Sequence, residues 1–152
     1  MKLPIGDERL YDLLSAWGAP YSWGAGGPSH GYDAWPGGAR GVAGGIGWDC
    51  SGFVQAALVR LGLLFPGAPR RSAAGLYDLS APVPLGQERM GDLAFYGPGG
   101  RVAHVMLVLA PGVVYGARGG VSGTNADDPR AYVQIEPVTY WNAFLGVRRM
   151  PA

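Results

Sequence analysis

The sequence predicts an α+β domain in which helices pack on an antiparallel sheet. Two observations carry that reading. Apolar residues at helical spacing are confined to the first half of the chain, and alternating strand-like segments fill the second. Those segments are joined by short turns such as "GPGG" and "APG", too short to hold the crossover helices a parallel sheet requires.

The first helix rests on Leu10, Leu13, Leu14 and Trp17, with Asp7 as its cap and Gly18 and Pro20 ending it. From Ala25 to Trp48 the chain is glycine-rich and shows neither helical nor strand periodicity, so one long loop is expected there. The second helix has an apolar stripe of Phe53, Val54, Ala57, Leu58 and Leu61, stopped by Gly62. A short helix follows at Ser72 to Leu79. Strands are then expected at "DLAFY", "VAHVMLVL", "VVYGA", "AYVQIEPV" and "FLGVRRM". The chain of 152 residues reads as a single domain over 1–152, with no internal repeat.

Composition narrows the function. Hydrophobic residues make up 48% and charged residues 15%, which excludes a disordered chain. Twelve basic residues against 11 acidic ones argue against a nucleic-acid binder working through a basic face. One cysteine excludes an internal disulfide, and one cysteine with two histidines excludes a Cys-rich zinc site. His30 and Asp33 share the glycine-rich loop, but two such ligands are too few to hold a metal. No stretch is long and apolar enough to span a membrane. The N-terminal "MKLPIGDERLYDLL" lacks the apolar run of a secretory signal, so the expectation is that the protein, made in the cytoplasm, works there, is exported by another machine, or has had its signal removed.

Cys50 stands at the start of the second helix, behind the N-cap residue Asp49. Unpaired backbone N–H groups and the helix dipole stabilise an anion at that position, so a lowered thiol pKa is expected. A nucleophilic cysteine needs a base, and the candidates are His30, in the loop, and His104, at the start of "HVMLVLA". Alternation puts Val105, Leu107 and Leu109 on one face of that strand and His104, Met106 and Val108 on the other. The bland alternatives are a buried structural cysteine and a core histidine. Taken together, a cysteine on a helix N-terminus and a histidine on a later antiparallel strand make the pair a papain-like peptidase uses.

Six segments in order then resemble the NlpC-type cell-wall peptidases, papain-like enzymes that cut the peptide stems of bacterial peptidoglycan. They are "GAPYSWG" (18–24), "DCSGFV" (49–54), "RRSAAGLYD", "MGDLAFY" (90–96), "AHVMLVLAPG" (103–112) and "YWNAFLGVRRM" (140–150). The resemblance implies Cys50 as nucleophile, His104 as general base and Tyr21 as an oxyanion ligand beside the Cys50 backbone N–H. It also implies that Asp49 and Ser51 line the cleft, where Asp49 can meet a free amine of the stem peptide as well as cap its helix. Tyr21 alone also reads as a packed aromatic, and Asp92 as the organiser of a turn. Trp23 and Trp48 are candidate substrate contacts, as are Tyr32 and Trp35 in the loop. The implied target is the bond between γ-D-glutamate and the diamino acid after it, cut without a cofactor. Implied partners are the stem peptide itself and, for delivery, a phage tail or a secretion machine.

Two departures from the family pattern matter. Its third polar group, which orients the imidazole, falls on Gly116, where no side chain exists. Tyr115 replaces it if the register slips by one, and Asn125 in "GTNADDP" if the following loop swings in; otherwise a backbone carbonyl or water holds His104. The second departure is the length of the loop between the Tyr and Cys motifs. Rival readings are a thiol amidase or acyltransferase acting on another amide, and an inactive wall-binding or structural module.

Overall fold

A computed structural model describes residues 5–119 and 130–152. Helix α1 (Glu8–Leu14) is capped by Asp7, whose carboxylate accepts the Arg9 N–H, and it buries Leu10 and Leu13. Trp17 lies beyond its end and is exposed. The glycine-rich stretch is not one irregular loop. It contains a single-turn helix α2 (His30–Asp33) and a hairpin of β1 (Ala39–Arg40) with β2 (Ile46–Gly47). These elements are too short to show a period, which is why the sequence concealed them.

Helix α3 (Cys50–Arg60) is the centre of the fold. All residues from Cys50 to Val59 are buried, so the apolar stripe expected from sequence is in fact a fully surrounded helix. The helix ends where Gly62 takes a positive φ of 73°. Helix α4 (Ala73–Leu79) begins after Ser72, whose hydroxyl accepts the Gly75 N–H.

Six strands form one antiparallel sheet in the order β3-β8-β4-β5-β6-β7. They are β3 (Ala81–Val83), β4 (Leu93–Tyr96), β5 (His104–Ala110), β6 (Val113–Ala117), β7 (Val133–Pro137) and β8 (Phe144–Arg149). Five match the expected segments. β3 was missed because it is short, carries Pro82 and lies at the sheet edge against β8.

The two faces of the sheet bury different sets. Val105, Leu107, Leu109, Tyr115 and Val133 join Phe53, Leu58 and Leu76 in the core between sheet and helices. Met106, Val108, Val114, Tyr96 and Val147 form a second cluster on the other face, covered by Val138, Tyr140, Trp141 and Phe144. Asp92 organises the turn before β4: it accepts the Arg89 N–H and pairs with Arg149.

Candidate active site

Asp49 anchors the nucleophile's end of the site. One carboxylate oxygen accepts the Gly52 N–H at 2.6 Å, which starts α3, and lies 3.5 Å from the Ser51 hydroxyl. The other accepts the Gly24 N–H at 3.1 Å and a 2.6 Å bond from Arg70. Arg70 also donates to the Gly26 carbonyl. Asp49 is therefore a helix cap and an ion-pair partner at once, with both oxygens engaged. The small residue after Cys50 and Ser51 has a reason: a Cβ on Gly52 would stand 2.1 Å from the Ala25 carbonyl oxygen. The motif's glycine lets the preceding loop lie directly on the helix start.

Cys50 is the first residue of α3 and only 8% exposed. Its sulfur lies against the backbone N–H of Val105, the residue after His104, and against that of Ser51. This contact brings the two motifs together, since it places the sulfur at the start of β5. Burial and the nearby Asp49 charge push the thiol up to about 11, outweighing the favourable N–H groups and Arg70. The lowered pKa expected from the helix end is thus overturned. The helix N-terminus favours an anion, but desolvation of a buried sulfur is larger.

His104 is 8% exposed and opens β5. Burial, followed by the positive charge of Arg118, pulls its imidazole down to about 4. Both shifts favour the neutral forms, a thiol at Cys50 and an imidazole at His104. The ring packs among Tyr96, Tyr140 and Trp141, at centroid distances of 5.8, 6.5 and 6.1 Å. Its Nε2 is buried with no hydrogen-bond partner among the described residues.

That orphan nitrogen bears on the third polar group. Gly116 lies on β6 opposite Gln134 of β7. A Cβ there would meet the Met106 sulfur at 2.9 Å, so the thioether fills the space a side chain would take. Tyr115 is excluded as a substitute. It points to the helix side of the sheet, where its hydroxyl donates 2.7 Å to the Leu13 carbonyl. Asn125 lies outside the described residues.

Tyr21 is buried, and its hydroxyl is raised above the usual phenol range by burial and by the proximity of Cys50 and Asp49. It stands beside the sulfur, held by a backbone bridge to Trp48. Trp48 itself is 0% exposed, between Trp35 and Phe53, and its indole N–H donates to the Pro36 carbonyl. The expectation that Trp48 contacts substrate is therefore corrected: together with Trp35, which donates to Asp12 and Ser15, it pins the loop to the body. Trp23, at 55% exposure, and Tyr32 remain on the surface. His30 and Asp33 form no metal cluster among the described residues.

Sequence reasoning missed three side chains. Arg70 follows no periodic pattern, and only its place before the Ser72 cap marked it. Tyr140 joins the site through its loop between β7 and β8, with Cys50 and Arg118 both near enough to influence its hydroxyl. Arg118 follows β6, pairs with Glu136 at 2.9 Å and lies 5.2 Å over the Tyr140 ring.

A cysteine on the first turn of a central helix, seated against the histidine end of an antiparallel strand, defines the papain-like class of fold. Within it the chain belongs to the NlpC/P60 family, which it matches over residues 18–145. It is 41% identical over 108 residues to the peptidoglycan endopeptidase RipB of Mycobacterium tuberculosis, covering 69% of this chain and 40% of that protein. The chain thus spans about two fifths of that relative's length. The solved structure of the peptidoglycan hydrolase RipB superposes with a TM-score of 0.67 at 30% identity, over 95% of this chain and 63% of that one. RipD of M. tuberculosis, described as a non-catalytic NlpC/p60 domain adapted to peptidoglycan binding, superposes with a TM-score of 0.66 at 29% identity, over 99% and 100% of the two chains.

Proposed function

We propose that this chain is a cysteine peptidase that hydrolyses amide bonds in the peptide stem of bacterial peptidoglycan. The observation that supports the reading is the seat of the Cys50 sulfur against the Val105 N–H, one residue after His104. RipB, a peptidoglycan endopeptidase by name, supports the substrate class.

In this mechanism His104 takes the thiol proton as Cys50 Sγ attacks the scissile carbonyl carbon. The developing oxyanion meets the Cys50 backbone N–H, free because it starts the helix, and the Tyr21 hydroxyl. Collapse breaks the C–N bond, and His104 returns its proton to the leaving amine. Water, deprotonated by His104, then attacks the thioester, releasing a carboxylate and restoring the thiol. The chemistry needs no cofactor. The bond between γ-D-glutamate and the diamino acid is the proposed target. Asp49 acts there as an anchor of the nucleophile, because both of its oxygens are already engaged, one by the Gly52 N–H and the other by the Gly24 N–H and Arg70. The relatives named above are bacterial proteins, which favours action on the cell wall of the producing organism over the phage-tail or secretion-machine delivery expected from sequence.

A second reading is a non-catalytic binding domain like RipD. Gly116 and the unpartnered Nε2 of His104 favour it. Purified peptidoglycan treated with this protein and with Cys50→Ala, followed by mass analysis of the fragments, separates the two. New peptide ends made only by the intact protein support the peptidase. Binding by both proteins without any new ends supports the binding domain.

A further inference from the structure

Among the described residues, the charge that acts on His104 is positive: Arg118, itself paired with Glu136. Continuing the β5–β6 register, in which Leu107 faces Tyr115, sets Arg118 across from His104. Gly116 lies beside them on the same face with no side chain. Among the described residues, the charged or titratable groups around His104 come from three segments. Tyr96 comes from β4, Tyr140 from the segment before β8, and Arg118 follows β6, with Glu136 of β7 behind it. Among the described residues, none of the groups in contact with the ring is an anion. Arg118 has 27% of its side chain exposed, so its guanidinium is reachable from solvent while one nitrogen holds Glu136. The Met106 thioether over Gly116 is the flexible end of a side chain, and it can yield.

We propose that Arg118 makes this side of the cleft a carboxylate-binding subsite, and that a substrate carboxylate docked there supplies the negative charge Gly116 cannot place beside His104. Arg is suited to that task because its planar guanidinium pairs with carboxylates through two parallel bonds. The bound anion offsets the Arg118 charge and stabilises the imidazolium formed when Cys50 gives up its proton. Catalysis then depends on a substrate that carries a carboxylate near the scissile bond. The inference deepens the peptidase reading, yet its test needs no hydrolysis.

The test uses the whole chain and NMR of its two histidine rings, with His30 reporting bulk salt effects. His104 is titrated in sodium acetate and in sodium chloride at matched ionic strength. The expected result is a His104 midpoint about one pH unit higher in acetate, a tenfold change in proton affinity. Arg118→Gln should remove the difference between the salts. In a Cys50→Ala background, an uncleaved stem peptide should act as acetate does, and the same peptide with its carboxylates replaced by carboxamides should not. Equal midpoints in acetate and chloride overturn the proposal, as does an acetate effect that survives in Arg118→Gln. A shift by acetate without any by the carboxylate peptide also overturns it, because the subsite would then take a free anion only. Failure of peptidoglycan digestion overturns the peptidase reading and leaves these outcomes readable.

Discussion

The two halves of the site are built to different standards. On the nucleophile side, each Asp49 oxygen has a partner, Arg70 ties the carboxylate to the Gly26 carbonyl, and Cys50 cannot move without moving α3. On the base side, among the described residues, His104 has no partner for Nε2, a thioether where a polar group would stand, and a cation, Arg118, acting on it. Both regions are buried, so burial does not make the difference. What differs is whether the polar groups left inside are paired. A buried group without a partner costs free energy that a paired one does not. The nucleophile is positioned by stability, and the base is positioned at some expense to it.

The comparison breaks first at Asp49. Asp49→Ala removes the cap of α3, strands the Gly24 N–H and leaves Arg70 without its partner; a loss of about 3 kcal/mol is expected in urea unfolding. Removing the charge on the other side, Arg118→Gln, should cost less than about 1 kcal/mol, since both members of its ion pair are partly exposed. Equal losses would erase the asymmetry.

The next largest effect is pH dependence. The folded-state pKa of His104 is depressed from 6.5 to about 4, so between these values the unfolded chain binds more protons than the folded one. Its contribution is fully present above pH 6.5 and is lost as pH falls towards 4. The drop should be on the order of 2–3 kcal/mol across that window, and His104→Gln should flatten it.

Restoring a polar group where Gly116 stands should sharpen the contrast in rate. Gly116→Glu, with the Met106 thioether displaced, should speed alkylation of Cys50 by iodoacetamide at pH 6 by about tenfold, because the imidazolium partner of a thiolate becomes easier to form. The unaltered chain should react slowly at that pH, given its neutral pair.

The smallest effect belongs to Tyr115. Tyr115→Phe leaves the Leu13 carbonyl without its donor and should cost about 1 kcal/mol. Hydrolysis should be unchanged, since that hydroxyl lies on the helix side of the sheet. A fall in rate at constant stability would return Tyr115 to the catalytic site.

Much of this was legible in the sequence where a period or a cap carried it. Asp7 and Asp49 announced their helices, and alternation in "HVMLVLA" assigned His104 and Val105 to opposite faces correctly. The glycine-rich stretch was not legible because its helix and its strands each span only about one period, too little to repeat. The protonation of the site was misjudged for a physical reason: a helix N-terminus is visible in sequence, whereas desolvation depends on what packs above it. The role of Trp48 failed for the same reason, since an aromatic beside the Cys motif reads alike whether it lines a cleft or fills a core. Arg118 and Tyr140 were invisible because they approach His104 from separate segments, joined only by the order of strands.

The measurement that bears most directly on the central claim is the rate at which new peptide ends appear in purified peptidoglycan, compared for the intact protein and Cys50→Ala. Measurable release by the intact protein and none by Cys50→Ala are expected. No release by the intact protein, folded and bound to the wall, would contradict the peptidase reading and leave a binding domain.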